Sequence, residues 1–290
     1  MSAKLEKGSR VGLVCCSNGL SESRRSEMEK LEEMLLKLGL VPEKSRCMYA
    51  GSTVFCGTGE ERAAELMRFY EDPGIRAIFD VSGGDTANGI LPYLDFSSIE
   101  KSDKRFWGYS DLTCIINAIY ARTGRPSVLY QIRNLVGEDG ERQTRAFSDS
   151  VMGDGNSLFT FPYTFLRGDH MEGTAAGGNI RCLLKLAGTK FWPDMRGKIL
   201  VLEASGGEVP QMASFLCQLR LMGVFEEISG ILLGTFLAME KGRCRPSMEE
   251  LVLEAAGKEI PVAKTARIGH RADSRAVIIG EKLSLRAPAE

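Results

Sequence analysis

Short apolar runs alternate with segments of helical spacing over the first 110 residues, and this alternation restricts the fold more than any other feature. Residues 10–17 form an apolar run between polar ends, which is typical of a strand buried in a parallel sheet. Residues 22–38 have helical spacing, and Gly39 stands where such a helix would end. Strands at 40–47, 75–81 and 106–109 and helices at 60–70 and 90–94 follow. The pattern predicts a mostly parallel sheet with helices on both faces.

The pattern changes beyond Val128. Residues 136–176 are rich in Gly, Asp, Ser, Thr and Arg without sustained periodicity, which predicts a linker with some extended pieces. From Gly177 onward, helices are predicted at 180–186, 212–222 and 248–256, and strands at 198–203, at 228–236 and near Val262 and Val277. We therefore predict an α/β protein with an N-terminal domain over 1–135, a linker over 136–176 and a second, smaller α/β domain over 177–290.

Composition excludes several classes of protein. With a net charge of −1, the chain has no overall field that would attract nucleic acid or an anionic membrane. No run approaches the ~18–20 apolar residues that span a bilayer, and the N-terminus lacks the apolar core of a signal sequence. The eight cysteines include no Cys-x-x-Cys pair, and only two histidines accompany them. We expect no metal site, and reduced thiols in a cytoplasmic protein.

A sharp turn is predicted between the strand that ends at Tyr109 and the apolar helix after Asp111. The sequence Gly108-Tyr-Ser-Asp111 places Ser110 at this turn, near helix N–H groups that lack partners. A serine in that position is well placed to attack a carbonyl group. Leu112 replaces the second glycine of the Gly-x-Ser-x-Gly motif, and on this stretch alone an ordinary helix N-cap is the favoured alternative.

A serine nucleophile needs a base and a carboxylate that orients the base. His270 follows a strand-like segment and Gly269, whereas His170 lies in the irregular region. Glu203 ends an apolar strand, where a charge is costly unless it is paired. A structural histidine and a salt bridge at a strand end are the plain alternatives. Asp111 is a competing carboxylate, although its position suits the first turn of a helix.

The pair Gly83-Gly84 follows a predicted strand and can present backbone N–H groups to an anion. One interpretation is a phosphate cradle, but no Gly-Lys-Ser/Thr loop accompanies it. The other is an oxyanion hole in which the N–H of Asp111 is the second donor. We prefer the oxyanion hole because it also uses Ser110.

These pieces together resemble one family, the LD-carboxypeptidases (serine peptidase family S66), which also includes the microcin C self-immunity peptidases. The resemblance rests on motifs in family order, which are Val11-Gly-Leu-Val14, Ser82-Gly-Gly-Asp-Thr-Ala-Asn-Gly-Ile-Leu-Pro-Tyr-Leu-Asp95, Gly108-Tyr-Ser-Asp-Leu-Thr113, Gly177-Gly-Asn-Ile180, Gly197-Lys-Ile-Leu-Val-Leu-Glu203, Gln218-Leu-Arg-Leu-Met-Gly-Val-Phe225 and Gly269-His270. It implies a flavodoxin- or glutamine-amidotransferase-like N-terminal sheet and an active site between two domains.

The resemblance also implies residue roles. Ser110 is the expected nucleophile, His270 the general base and Glu203 the group that orients it, with Gly84 and Asp111 as oxyanion donors. It implies a homodimer that needs no cofactor and removes the terminal D-Ala of a murein tetrapeptide in the cytoplasm. Asp85, Arg133 and Arg267 are candidate substrate-binding residues, the two arginines chosen only because they lie near the motifs.

Departures from the family pattern leave the substrate open. They occur at Cys15-Cys16, Tyr130-Gln131-Ile132, Ala204 and Ile278-Ile279-Gly280. An immunity-type peptidase that acts on an aminoacyl-nucleotide is one alternative. A phosphate-binding kinase and a non-catalytic small-molecule binding protein are the others.

Overall fold

Two six-stranded sheets organise the chain in the computed structural model, which describes residues 4–288. The strands are β1 (Arg10–Val14), β2 (Val41–Lys44), β3 (Ile75–Asp80), β4 (Arg105–Gly108), β5 (Ser127–Leu129), β6 (Thr164–Arg167), β7 (His170–Asn179), β8 (Lys198–Ala204), β9 (Gly230–Phe236), β10 (Val262–Lys264), β11 (Val277–Ile279) and β12 (Lys282–Arg286). The predicted α/β class is confirmed.

Helices cover both faces of the sheets. They are α1 (Arg25–Lys37), α2 (Gly59–Glu71), α3 (Phe96–Lys101), α4 (Thr113–Thr123), α5 (Gly140–Phe147), α6 (Ile180–Leu184), α7 (Val209–Leu221), α8 (Val224–Glu227), α9 (Leu237–Gly242) and α10 (Met248–Ala255). Shorter 3-10 turns lie at Glu22–Arg24, Ala87–Tyr93, Ser110–Leu112 and Ile132–Val136, and a π turn lies at Ser148–Met152. No helix within residues 4–288 is long and apolar enough to cross a membrane.

The first sheet has the strand order β2-β1-β3-β4-β5-β11, in which β1 to β5 run parallel and β11 runs antiparallel to β5. The order β2-β1-β3-β4-β5 is that of flavodoxin-like sheets. Helix α1 packs on one face through Met28, Leu31 and Leu35, and α2 and α4 pack on the other. The chain adds β2 on one side of β1 and then β3 on the other side. In sheets of this kind, ligands bind beyond the carboxyl ends of the two strands at which the order switches, here β1 and β3.

The second sheet has the order β12-β7-β8-β9-β10-β6, with four parallel central strands and antiparallel edges. Its inner face shares one hydrophobic cluster with the α4 side of the first sheet. Ile78 and Ile115 from the first half belong to the same buried cluster as Ile199 and Val201 from the second. Because the two sheets share this core, the ends of their central strands are held close to each other.

Residues 136–176 contain more regular structure than the sequence predicted. They include α5, β6 and most of β7. Tertiary hydrogen bonds fix α5, since the Gln143 side chain donates to the carbonyls of Ala272 (2.8 Å) and Ser274 (3.0 Å). Strand β7 was not predicted, because the second half of its sequence consists of small residues with weak strand propensity. The division into 1–135, 136–176 and 177–290 stays a prediction, and β11 crosses it by pairing with β5.

Candidate active site

Ser110 lies at a sharp turn between β4 and α4. Its φ of +54° is in the left-handed region, where a residue with a side chain is strained by about 1–3 kcal/mol. Gly108 permits the turn, because a Cβ there would lie 2.7 Å from the Cβ of Leu112. The side chain of Ser110 caps neither the 3-10 turn nor α4. The turn is therefore a strained elbow of the kind that presents a nucleophile, and the helix-cap alternative does not describe it.

Glu203 and His270 form a hydrogen-bonded pair, with 2.7 Å between Glu203 Oε2 and His270 Nδ1. The Glu203 side chain is fully buried, while that of His270 is 20% exposed. The other carboxylate oxygen, Oε1, accepts a hydrogen bond from the amide of Asn179 at 3.1 Å. A buried carboxylate is stable only when its oxygens have such partners. The pair fixes the orientation of the imidazole and leaves Nε2 free of Glu203.

Tyr109 connects this pair to the elbow. Its ring centroid lies 4.6 Å from that of His270, and its hydroxyl donates to Glu203 Oε2 at 3.3 Å. Burial raises the pKa of the Tyr109 phenol well above its usual value, so the hydroxyl stays protonated. Tyr109 directly precedes Ser110 in the chain, so the residue before the serine contacts both Glu203 and His270. Within residues 4–288, no hydrogen bond joins Ser110 to His270, and in free enzymes this contact often tightens only when substrate binds.

The amino end of α4 is attached to the carboxyl end of β7. The hydroxyl of Thr113 accepts a hydrogen bond from the backbone N–H of Asn179 at 3.0 Å. Asn117 both donates to the carbonyl of Gly177 (2.9 Å) and accepts from its N–H (2.8 Å). A Cβ on Gly178 would lie 2.7 Å from Thr113 Oγ1, so the close approach requires glycine. Asn179 thereby links the elbow's helix to Glu203.

The segment after β3, residues 82–87, forms the Gly84 loop, which lies beside the elbow. Gly84 has a φ of +130°, and a Cβ there would lie 2.4 Å from the Asn18 side chain. Asn18 Oδ1 accepts from the N–H of Asp85 at 3.2 Å. The fully buried carboxylate of Asp111 accepts from the N–H of Ala87 at 2.8 Å, which ties the loop to the residue after Ser110. Asp111 bonds to the loop and does not bond to His270, so it is not the carboxylate that orients the imidazole.

Three predicted substrate-binding residues already have ionic partners. Asp85 pairs with Arg181, and this contact lowers the pKa of the Asp85 carboxyl. Arg133 lies 3.3 Å from Glu27 on α1, and Arg267 pairs with Asp273. Neither arginine forms a hydrogen bond with Ser110, Glu203 or His270.

His270 lines a cavity of about 1000 Å³ between α5 and α9. Charged side chains of both signs share this lining, which contains the basic residues Arg142, Arg145, Lys241 and Arg271 and the acidic residues Glu138, Asp139, Glu141, Glu240 and Asp273. Within residues 4–288, no three His, Cys, Asp or Glu side chains are grouped so that they could hold a metal ion.

Sequence reasoning gave no role to Tyr109, Asn179 or Arg271, although the first two lie within motifs that it singled out. Asn179 had a recognisable signal, because it ends a Gly-Gly-Asn sequence just before a predicted helix. The others gave none, since their roles depend on contacts between distant segments.

Comparisons with known proteins agree with this architecture. Residues 11–130 match the LD-carboxypeptidase N-terminal domain, and residues 172–285 match the LD-carboxypeptidase C-terminal domain. The chain is 30% identical to a probable murein peptide carboxypeptidase of Bacillus subtilis (strain 168), over 97% of this chain and 90% of that one. It is 29% identical to a murein tetrapeptide carboxypeptidase of Pseudomonas aeruginosa, over 76% and 75% of the two chains.

A solved structure of the microcin C7 self-immunity protein MccF has the same fold. It superposes with a TM-score of 0.87 at 24% identity, over 98% of this chain and 94% of that one. Since the two family domains together match most of the sequence, the chain belongs to the LD-carboxypeptidase family, peptidase family S66.

Proposed function

We propose that this protein is a serine carboxypeptidase that cleaves the bond between an L-configured centre and a C-terminal D-amino acid. The observation that carries the proposal is the 2.7 Å bond between Glu203 and His270, with Tyr109 packed on the imidazole next to Ser110. A buried carboxylate, a partly exposed histidine and a strained serine elbow are the parts of a serine-hydrolase triad.

In the proposed mechanism, Ser110 attacks the carbonyl carbon of the terminal peptide bond. His270 Nε2 accepts the hydroxyl proton, while Glu203 holds Nδ1–H and stabilises the imidazolium. The N–H groups of Gly84 and Asp111 bind the oxyanion. His270 then protonates the departing amine, and the released D-amino acid leaves an acyl-serine ester. A water molecule then attacks the ester while His270 takes its proton, and His270 passes that proton to the Ser110 oxygen as the shortened peptide leaves with a new carboxylate.

The proposed substrate is a murein tetrapeptide that loses its terminal D-Ala in cell-wall recycling. Two relatives named as murein peptide carboxypeptidases support this choice. We further propose a cytoplasmic homodimer that needs no cofactor, as the family resemblance implies. Asp85, Arg133 and Arg267 could contribute to substrate binding only by exchanging their present ionic partners for the substrate.

An immunity-type activity on an aminoacyl-nucleotide is the second candidate. It is supported by the fold shared with MccF over 98% of this chain.

The test is release of D-Ala from L-Ala-D-Glu-meso-diaminopimelate-D-Ala, with an aminoacyl sulfamoyl adenosine assayed in parallel. Ser110→Ala and His270→Ala should each lower the rate by about 10³ or more, as removal of triad members does. His170→Ala is the matched control, because the second histidine starts β7 and should leave turnover unchanged. Wild-type turnover in either triad variant would refute the triad, and cleavage of the nucleotide substrate alone would favour the second candidate.

A further inference from the structure

Two cations reach from the second half of the chain to the Gly84 loop. Arg181 lies in α6 and Lys185 directly follows this helix, so the two side chains are four residues apart and lie on one face. The side chain of Lys185 is only 16% exposed. A lysine with so little exposure needs hydrogen-bond or ionic partners, because moving an ammonium group out of water costs free energy.

Lys185 contacts both segments that carry the proposed oxyanion donors. Its ammonium donates to the backbone carbonyl of Asp85 at 2.8 Å. The same ammonium forms an ion pair with the fully buried carboxylate of Asp111. That carboxylate also accepts from Ser17 Oγ at 2.6 Å and from the N–H of Ala87 at 2.8 Å. One positive charge therefore connects the Gly84 loop to the elbow.

Arg181 holds the outer side of the same loop. Its guanidinium pairs with the exposed carboxylate of Asp85 and donates to the carbonyl of Gly84 at 3.1 Å. Together the two cations bind the carbonyls of Gly84 and Asp85. Asn18 restrains the loop from the first half of the chain, since its Oδ1 accepts from the N–H of Asp85 at 3.2 Å.

We propose that Lys185, assisted by Arg181, is a positioning residue that fixes the Gly84 loop relative to the Ser110–Asp111 turn. In this way the two N–H donors converge on one oxyanion position. The inference rests on the proposed function, because it assigns a purpose to the proposed donors. Oxyanion stabilisation depends on donors that are oriented before the reaction, so loosening either segment weakens it without changing the reacting groups.

The first test compares Lys185→Met with Lys185→Arg in the full-length protein. Methionine keeps most of the side-chain volume and removes the charge. Since loss of a whole oxyanion donor costs 10²–10³ in kcat, we expect Lys185→Met to lower kcat by about 10–100-fold while KM changes by less than about threefold. Lys185→Arg should recover part of the loss. The control is Lys190→Met, an exposed lysine of the same segment, which should match the wild type.

Lys185→Met leaves the buried carboxylate of Asp111 without its cation, and such a variant can fail to fold. The double variant Asp111→Asn/Lys185→Met removes both charges and should recover the thermal midpoint but not kcat. Arg181→Gln alters only exposed contacts and should lower kcat by about threefold to tenfold, as expected when solvent exposure reduces a lost hydrogen bond to about 1 kcal/mol. Wild-type kcat in the folded double variant, including the case in which only its KM rises, would overturn the positioning role.

A fluorophosphonate probe separates this inference from the proposed substrate. The probe reacts at Ser110 and needs the oxyanion donors whatever the natural substrate is. If the wild type cleaves no peptide but is labelled, the substrate proposal fails, and slower labelling of Lys185→Met and of the double variant still supports the positioning role. Equal labelling rates in the wild type and in these two variants would overturn the positioning role. A wild type that neither cleaves nor reacts overturns both proposals.

Discussion

Glu203 shows how a single buried residue depends on several distant segments. Its carboxylate is bonded by Asn179 from β7, by His270 from the loop after β10 and by Tyr109 from the end of β4. Its place at a strand end made Glu203 predictable from sequence. The partners were harder to find, because nothing in the local pattern around Tyr109 indicates which carboxylate it meets.

Replacing Tyr109 by Phe tests whether the hydroxyl helps to hold Glu203 and His270. The ring would stay on the imidazole, while the 3.3 Å bond to Glu203 would be lost. We expect kcat/KM to fall about threefold to tenfold, because such a hydrogen bond contributes about 1 kcal/mol. Steady-state kinetics on the tetrapeptide would measure this. A loss as large as that of His270→Ala would show instead that the phenol takes part in the chemistry.

Asp80 is a buried acid that precedes the Gly84 loop, and it should make stability depend on pH. Burial raises the pKa of its carboxyl to about 6, whereas the unfolded value is about 3.9. Between these values the folded state binds more protons than the unfolded state, so its contribution to stability falls as pH rises. The free energy of unfolding should lose about 3 kcal/mol of this contribution by pH 7, and should keep all of it below about pH 4.

Urea unfolding of the wild type and of Asp80→Asn at pH 4, 5, 6 and 7 would measure this effect. Asparagine cannot ionise, and the other carboxylates cancel in the comparison. The free energy of unfolding of the wild type, relative to the variant, should therefore fall between pH 4 and 7. A difference that does not vary with pH would contradict the raised pKa.

At the level of elements, strands and helices with strong apolar patterns were predictable, and those built from weak patterns were not. The predicted segments at 75–81 and 228–236 correspond to β3 and β9 because apolar residues predominate in each. By contrast, α5 is polar and depends on Gln143 for its position. The arginines at 133 and 267 were chosen by sequence proximity, which cannot show that Glu27 and Asp273 already bind them.

Gly178 tests the junction between α4 and β7. Its φ is +133°, and a Cβ would lie 2.7 Å from Thr113 Oγ1. Gly178→Ala should destabilise the protein by about 3 kcal/mol, from backbone strain together with the clash. Gly188 is the matched control, since its φ is also positive (+73°) but no atom lies within 4 Å of a Cβ.

Gly188→Ala should therefore cost only about 1 kcal/mol. Denaturant unfolding of both variants would measure the two losses. Gly178→Ala should also lower kcat, because a shifted α4 moves the elbow at its amino end. Equal destabilisation by the two substitutions would mean that the contact with Thr113 adds nothing to the strain at Gly178.

At the scale of the whole molecule, the two halves are interlocked. Strand β11 comes from the end of the chain and pairs with β5 of the first sheet, while β12, three residues later, pairs with β7 of the second. A single hydrophobic cluster contains buried residues of both sheets. We therefore expect the halves to unfold together, although the sequence suggested two domains.

The two tryptophans provide a probe for each half. Trp107 lies in β4 of the first sheet, and Trp192 of the second half packs against that half's own core and against the shared cluster. In the variant Trp192→Phe, the remaining Trp107 reports the unfolding of the first half by its fluorescence. In Trp107→Phe, the remaining Trp192 reports the unfolding of the second half. Because the halves share a core, the fluorescence transition in urea should coincide with the far-UV circular dichroism transition in each variant. A fluorescence midpoint that departs from the dichroism midpoint in either variant would show that one half unfolds before the other.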